Sequence, residues 1–453
     1  VRPTDIGVPG PTALDMARAF RSVRADPLTF LGEVAATYGD LVAFPVPGPP
    51  ALLLNDPADV RRVLQTSARS WGKQTVQYAA LARVTGPGLL ASSEPSWIEH
   101  RRLAAPAFHH QRLDAVAGQV RAAADAAIAA RLGPSFHGGL VDVASLVHRI
   151  GLDAVGRALF SADLSDHAQR LLDATSDAAG LVVRLGRSVL PTASWAPTPT
   201  NVRLRSTRRR LDGISADLVD QRRRRGVASD ADAYGDDLLG LLLASGLSDA
   251  EIRDELVTMV IAGHETVAAG LAWTLMLLAE DQAAQDRVRA EVAAHPGPVS
   301  LLGHRETMPW TRAVVDESLR LFPPAWALSR RALEADVIGG REVPAGTLVI
   351  VSPWLVHRRA ESWPDPLAFR PERFVGAGGA PPAYLPFGRG PRLCIGREFA
   401  LGEMVVVLSR LLASYRLEVP TGWRRPAAQA QVAVHPAGGM PLIVRPLAGG
   451  AHG

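Results

Sequence analysis

A mainly α-helical fold with small β-sheets, in one domain, is what the sequence predicts, and three observations carry it. A helical run from Ser248 to about Glu280 is apolar nearly all round over 256–278. At ~1.5 Å per residue it would reach roughly 50 Å, enough to cross the whole molecule. Short apolar runs at 41–47, 51–54, 337–340 and 347–352 are bounded by Gly and Pro, as the strands of small sheets are. The only cysteine, Cys394, follows the turn Phe387-Gly388-Arg389-Gly390-Pro391-Arg392-Leu393. A helical pattern (Phe399, Leu401, Met404, Val405, Leu408, Leu411) begins just after it.

Composition bounds the function. A chain of 453 residues can bury a large core, and it has neither internal repeats nor a low-complexity linker. Residues 1–453 therefore read as one domain, 1–40 being a polar lead-in with a short helix. Hydrophobic residues at 47% and charged residues at 21% are ordinary for a soluble protein. The net charge of +4 is modest, and the arginine runs 208–210 and 222–225 lack interleaved aromatics. They read as solvated helix faces, and no nucleic-acid partner is expected. A lone cysteine cannot form an internal disulfide. The stretch 1–5 has no apolar run fit for a signal peptide or anchor, which points to a cytoplasmic protein without a membrane span. Lys73 is the only lysine, and with so much alanine the arginine excess looks like the codon bias of a GC-rich genome.

The elements follow in order. Runs 41–47 and 51–54 flank Gly48-Pro49-Pro50 as a hairpin, and Asp56-Pro57 opens a helix through Val60, Val63 and Leu64. Residues 70–95, with Gly72, Gly86, Pro87, Gly88 and Pro95, read as a loop. From Trp97 to about Arg131 the pattern is helical. Trp97 and Arg101, four apart, share a face on which an indole N–H and a guanidinium could grip a carboxylate. His100 stands one residue off that face and reads as peripheral. Prolines break 191–200 into an exposed loop.

Ser248-Asp249-Ala250-Glu251 is a capping box that opens the long helix. His264 and Glu265 in its middle would be costly in lipid, so a buried central helix fits better than a membrane span. There Gly263 leaves room for a flat cofactor or O2 to approach. Thr266 can bond to a carbonyl one turn earlier or to a ligand, and the carboxyl of Glu265 needs a partner, solvent or a task. Residues 310–322 form a helix ended by Pro323-Pro324, with Glu317 and Arg320 three apart on one face. Arg330 and Arg331 precede two short strands, and 363–374 is irregular. Strands near 431–435 and 440–444 follow, with the Gly438-Gly439 turn between them directed at a substrate pocket.

A thiol just ahead of a helix meets unpaired N–H groups and the positive end of the helix dipole, which stabilise its thiolate, a soft metal ligand. Gly388, Gly390 and Gly396 let the backbone approach a flat ligand closely, and Arg392 can answer an acidic group on it. Without such a setting a solitary cysteine is a small buried hydrophobe. Residues 387–396 resemble the cysteine-ligand loop of the cytochrome P-450 superfamily, whose pattern is Phe, Gly or Ser, any, Gly, any, Arg, any, Cys, any, Gly; every fixed position is met. Four further stretches resemble landmarks of that family in the right order. Trp97 to Phe108 resembles its propionate-binding helix, and Ala262-Gly263-His264-Glu265-Thr266 its oxygen-activating segment. Glu317-Ser318-Leu319-Arg320, with Arg373 of Pro371-Glu372-Arg373-Phe374, resembles its buried Glu–Arg–Arg scaffold.

The resemblance spans roughly residues 40–445 and implies a cytochrome P-450-type domain enclosing haem b between the long helix and the Cys394 loop. It implies an O2-dependent monooxygenase with the Cys394 thiolate as axial ligand to iron. Trp97, Arg101, Arg330 and Arg392 would hold the propionates, with Arg331 the rival of Arg330. Phe387 would pack beside the sulfur, Glu265 and Thr266 would manage protons, and Glu317, Arg320 and Arg373 would form the scaffold. There is room for the haem domain only. Electrons would come from a separate ferredoxin or flavodoxin with its reductase, docking near Arg102 and Arg112, with NAD(P)H used only indirectly and the protein a monomer.

Residues 70–95, 182–195 and those after Pro324 would line the pocket. Val183, Leu190, Trp195, Ala325, Trp326 and Leu328 make it apolar, which calls for a lipophilic substrate. Likeness to bacterial relatives of eukaryotic-type members favours a terpenoid or other secondary metabolite, with fatty-acid hydroxylation as the alternative. Two other classes compete. A cysteine-nucleophile hydrolase would need a histidine beside Cys394, and a non-catalytic haem-thiolate sensor would have no need of Glu265 and Thr266.

Overall fold

Segments rich in alanine and leucine, punctuated by Gly and Pro, fold as helices stacked around one long central helix. The computed structural model describes residues 6–46, 49–162, 168–186, 195–227, 234–376 and 381–447. The first half runs α1 (Ala13–Ala25), α2 (Pro27–Tyr38), β1 (Leu41–Phe44), β2 (Ala51–Leu54), α3 (Pro57–Arg61), β3 (Trp71–Gly72), α4 (Val76–Thr85), α5 (Ser96–Ala104), α6 (His110–Leu132), β4 (Gly139–Asp142), α7 (Val143–Phe160), α8 (Ala168–Gly186) and α9 (Pro199–Val227). Then come α10 (Leu238–Ala244), α11 (Asp249–Glu280), α12 (Gln282–Ala294), α13 (His304–Thr307), α14 (Pro309–Leu321), β5 (Leu328–Ala332), β6 (Asp336–Ile338), β7 (Arg341–Val343), β8 (Leu348–Val351) and α15 (Pro353–Val356). The chain closes with α16 (Arg397–Ser414), β9 (Tyr415–Glu418), β10 (Ala428–Ala430), β11 (Val434–Pro436) and β12 (Pro441–Pro446).

Helix α11 is the axis. Ser248 Oγ accepts from Glu251 N–H while the Glu251 carboxylate accepts from Ser248, completing the expected capping box. The helix is long and apolar enough to cross a membrane, but 83% of its most apolar window is covered by the rest of the chain. It is a core helix. Glycines set how closely neighbours approach it: a Cβ at Gly270 would lie 3.1 Å from Met404 of α16 and 3.2 Å from Leu319 of α14. A Cβ at Gly263 would lie 2.9 Å from Val155 of α7. The missing side chain there admits a neighbouring helix.

The largest sheet has the order β1-β2-β8-β5-β3, with β2 and β8 parallel and the other pairs antiparallel. A three-stranded sheet (β4-β12-β9) and two hairpins (β6-β7, β10-β11) complete the β structure.

Several local expectations change. Residues 70–95 contain a ten-residue helix, α4, because the Gly and Pro residues lie at its ends and Thr75 caps it. The helix expected over 97–131 breaks at Pro106 into a 3₁₀ turn (Ala105–Phe108) between α5 and α6. The lead-in holds two helices, α1 capped by Thr12 and α2 opened by Pro27. Ahead of the expected strands, Arg330 and Arg331 themselves lie in a further one, β5. The Gly438-Gly439 turn packs on Asp142, whose carboxylate accepts from Met440 N–H, so it buttresses the start of α7. Of the expected pocket residues, Leu190 lies outside the described residues, and Trp195 is 79% exposed on the surface.

Candidate active site

The Cys394 loop closes on itself through three short-range bonds. Gly388 N–H donates to Leu385 O, Leu393 N–H to Gly390 O and Cys394 N–H to Phe387 O, each at 3.0 Å. Gly388 and Gly390 both have φ of 72°, which a side chain would strain. A Cβ on Gly390 would fall 2.0 Å from Leu64 O, and one on Gly396 would touch the Phe108 ring at 3.5 Å. Gly390 therefore serves a close approach within the protein; Gly396, in ordinary contact, and Gly388, with nothing nearer than Leu328 at 3.8 Å, leave room for a side chain. Phe387 packs on the cluster that includes Val267 and Leu271, and Ile395 on the one that includes Met259 and Val260. The loop is anchored in the two clusters that flank the middle of α11.

Cys394 is exposed, yet burial pushes its thiol up. A sulfur that is reachable but desolvated lines an interior cleft. Gly396 N–H, Arg101, Arg397 and Lys73 pull the thiol the other way without prevailing. The helix-end stabilisation expected from sequence is thus outweighed by desolvation.

Beside the sulfur stands a cluster of cations. Lys73 and Arg330 are buried, and Arg101 and Arg392 are half-buried. Lys73 Nζ donates to Leu90 O at 2.9 Å and lies 4.4 Å over the Tyr78 ring; Arg330 donates to Ser329 O at 2.8 Å and to Tyr78 Oη at 3.4 Å. Arg101 donates to Leu393 O at 2.9 Å, tying α5 to the cysteine loop. Arg392 donates to Ser92 O at 2.9 Å and stacks 3.7 Å over Trp97. Among the described residues none of the four has a carboxylate within ion-pair distance. Burial first, then Arg330, Arg392 and Arg101, hold Lys73 well below the usual lysine range; burial and Arg330 bring Arg392 down to about 10. Arg331, the sequence rival of Arg330, turns outward and donates to Gln74 O.

Lys73 and Tyr78 were not picked out from sequence as site residues. Being the chain's only lysine was the one available signal for Lys73. His100, one residue off the Trp97–Arg101 face, is buried and bonded at 2.6 Å to Glu255 of α11. Arg102 is exposed, whereas Arg112 is engaged with Asp236 at 2.7 Å.

Across α11, Ala262, Gly263 and Thr266 are half-exposed in an otherwise buried stretch. The Thr266 hydroxyl donates to Ala262 O at 2.8 Å. Glu265 is buried and sits 3.3 Å from His435 Nε2 on β11. Burial pushes its carboxyl up, but His435, His264 and His148 outweigh that and hold it below the usual range.

Behind this lies a closed charge cluster. Arg320 forks onto Glu317 at 2.7 and 2.8 Å, and Arg373 Nε reaches the same carboxylate at 3.3 Å. Arg370 N–H adds a 2.9 Å bond, and Arg320 spends its remaining donors on the carbonyls of His357, Pro366 and Ala368. Every charge there is answered.

Among the described residues no group of three His, Cys, Asp or Glu side chains could hold a bare metal ion. One thiolate serves a metal best when the metal brings its other ligands with it. An accessible soft donor beside four unanswered cations fits a metal carried in a flat, dianionic ring. The family model for cytochrome P-450 matches residues 9–442. The chain belongs to the cytochrome P-450 family. It is a monooxygenase-type oxidoreductase of the haem-thiolate class. It is 33% identical over 410 residues to cyclooctat-9-en-7-ol 5-monooxygenase of Streptomyces melanosporofaciens, covering 87% of this chain and 86% of that protein. It is 32% identical over 424 residues to pentalenene oxygenase of Streptomyces avermitilis, covering 90% and 91%. The crystal structure of CYP175A1 from Thermus thermophilus superposes with a TM-score of 0.77 at 30% identity, covering 95% of this chain and 98% of that one. A cytochrome P-450 fold is what these packed helices and small sheets make.

Proposed function

We propose that this cytochrome P-450 oxidises a lipophilic small molecule of terpenoid type, with electrons delivered by a separate ferredoxin or flavodoxin. The observation that carries the site assignment is the pairing of an accessible thiol with two buried and two half-buried cations that lack carboxylate partners. Cys394 would ligate the iron, and Arg101, Arg330, Arg392 and Lys73, with Trp97, would hold the propionates. When bound, haem supplies the iron at which O2 is reduced and one oxygen atom is passed to substrate. The protein's own part is positional. Phe387 and Gly388 shape the space beside the sulfur, Gly396 donates its N–H toward it, and Thr266 and Glu265 hold protons on the α11 side. The closed Glu317–Arg320–Arg373 cluster keeps the cysteine side rigid.

The terpenoid reading is supported by the relatives named for cyclooctatenol and pentalenene, and by the partly buried apolar residues Val183, Trp326 and Leu328. Reduced protein exposed to carbon monoxide should show the far-red-shifted Soret band of a thiolate haem, and Cys394→Ala should lose it. A band unchanged in that variant would remove Cys394 as ligand. Cyclic terpene hydrocarbons and alcohols should shift the Soret spin-state balance more strongly than fatty acids of equal carbon number. The reverse order would favour fatty-acid hydroxylation. Binding without product under reducing conditions would favour a sensor.

A further inference from the structure

Glu265 shares its corner of the molecule with three imidazoles, two of them from other elements. His435 of β11 lies 3.3 Å from its carboxylate. The His435 ring stacks on His148 of α7, with centroids 5.5 Å apart and planes at 26°. His148 stands edge-on to His264 at 5.9 Å, and His264 Nδ1–H donates to Val260 O at 2.8 Å. Burial deepens inward, from 13% exposure at the His435 side chain to 6% at Glu265. The titratable groups facing His435 are Glu265 from α11 and His148 from α7, with His264 and Asp142 behind His148; its strand partner Gln429 is uncharged.

Adjacent helix positions differ by ~100°, so the carboxylate turned to His435 is off the face that carries Thr266. For Glu265 to exchange a proton with Thr266, its carboxyl has to turn from one face toward the other. The contact at 3.3 Å is at the long end for a hydrogen bond, and glutamate has rotatable torsions enough to turn. Burial, then the neighbouring histidines, hold His148 near 4, and burial also lowers His264. Both are neutral near pH 7, so they wall the corner without trapping a proton.

We propose that His435 loads protons into the α11 acid–alcohol pair: it takes one from solvent, passes it to Glu265, and the neutral acid turns toward Thr266 to deliver it. The proton count closes. Each delivery leaves a carboxylate that returns to His435, His435 reloads from water, and no electron moves. Loading also releases, since a charge-assisted bond becomes a weaker neutral one once the proton has crossed. His435 acts through Glu265 and is a positioning and proton-feeding residue. The inference rests on the monooxygenase reading.

The test compares His435→Gln, which keeps a donor for Glu265 but cannot relay, with His435→Ala. In His435→Gln, product formation should fall ~10-fold, less than the full worth of a general acid because water can substitute. Hydrogen peroxide should take a larger share of the O2 consumed, and the solvent deuterium isotope effect should grow, with the carbon-monoxide Soret band unchanged. Independently of turnover, the Glu265 carboxyl ¹³C resonance followed against pH should titrate higher in His435→Ala, because burial is no longer opposed by that bond. If His435→Gln matches the unsubstituted protein in product, peroxide and isotope effect, His435 is only a latch. An unmoved Glu265 titration in His435→Ala would remove the contact itself. If the unsubstituted protein lacks the thiolate Soret band, the monooxygenase reading fails and the relay with it; a normal band with unaltered peroxide sinks the relay alone.

Discussion

Two buried charge clusters lie in this molecule, and they are built on opposite terms. Around Glu317 every charge is met: two arginines share one carboxylate, and the spare donors end on backbone carbonyls. Around Cys394, Lys73, Arg101, Arg330 and Arg392 crowd together with carbonyls and aromatic faces but no carboxylate. A cluster closed on itself is scaffold; one left open is a place for a ligand of opposite charge.

The largest effect should come from opening the closed cluster. Glu317→Gln keeps the shape but strands Arg320 and Arg373, and should lower stability by about 3–5 kcal/mol in urea unfolding. A loss under 1 kcal/mol would mean the cluster is not scaffold.

Acid should open the same cluster from its rim. His357 Nδ1–H donates to Arg320 O at 3.0 Å, and Nε2 accepts from Leu385 N–H at 2.7 Å, so only the neutral ring fits. Burial holds His357 near 3, against the ordinary 6.5. The unfolded chain therefore binds the extra proton between those values. Stability is lost as pH falls below ~6.5, by about 1.4 kcal/mol per unit for this group. His357→Gln should flatten that slope between pH 6.5 and 4, and an unchanged slope would acquit His357.

In the open cluster the sign should depend on the cofactor. Lys73→Met removes one of four repelling cations, so cofactor-stripped protein should gain ~1 kcal/mol while the loaded protein releases haem faster to an apo-myoglobin acceptor. Loss of stability in both states would make Lys73 an ordinary packing residue. Arg331→Ala, one residue from Arg330 but facing outward, should change stability by less than ~0.5 kcal/mol and leave haem retention alone.

Features written in neighbouring residues were legible in the sequence. The Cys394 loop, the Ser248–Glu251 cap and the Glu317–Arg320 pair are local, and spacing alone brings their groups together. What escaped was convergence across the chain. Lys73 and Tyr78 meet Arg330 and Arg392 only because β3 pairs with β5 and α5 lies against the cysteine loop. His435 reaches Glu265 across 170 residues. Glycines are ambiguous for a related reason. Gly263 and Gly390 mark close approach, but a sequence does not say to what, and here Val155 and Leu64 are the nearest neighbours. Helix α4 was missed because the Gly and Pro residues that read as loop are its boundaries.

One residue of the open cluster has a chemical consequence of its own. Lys73 carries the only ε-amine in 453 residues, and burial first, then Arg330, Arg392 and Arg101, loosen its hold on a proton and so favour its reaction as a nucleophile. An amine-directed label would thus find a single side chain, seated among the cations proposed to hold the cofactor's carboxylates. Loading the cofactor would cover that amine, so labelling at Lys73, read apart from the chain's α-amine, would report the empty molecules.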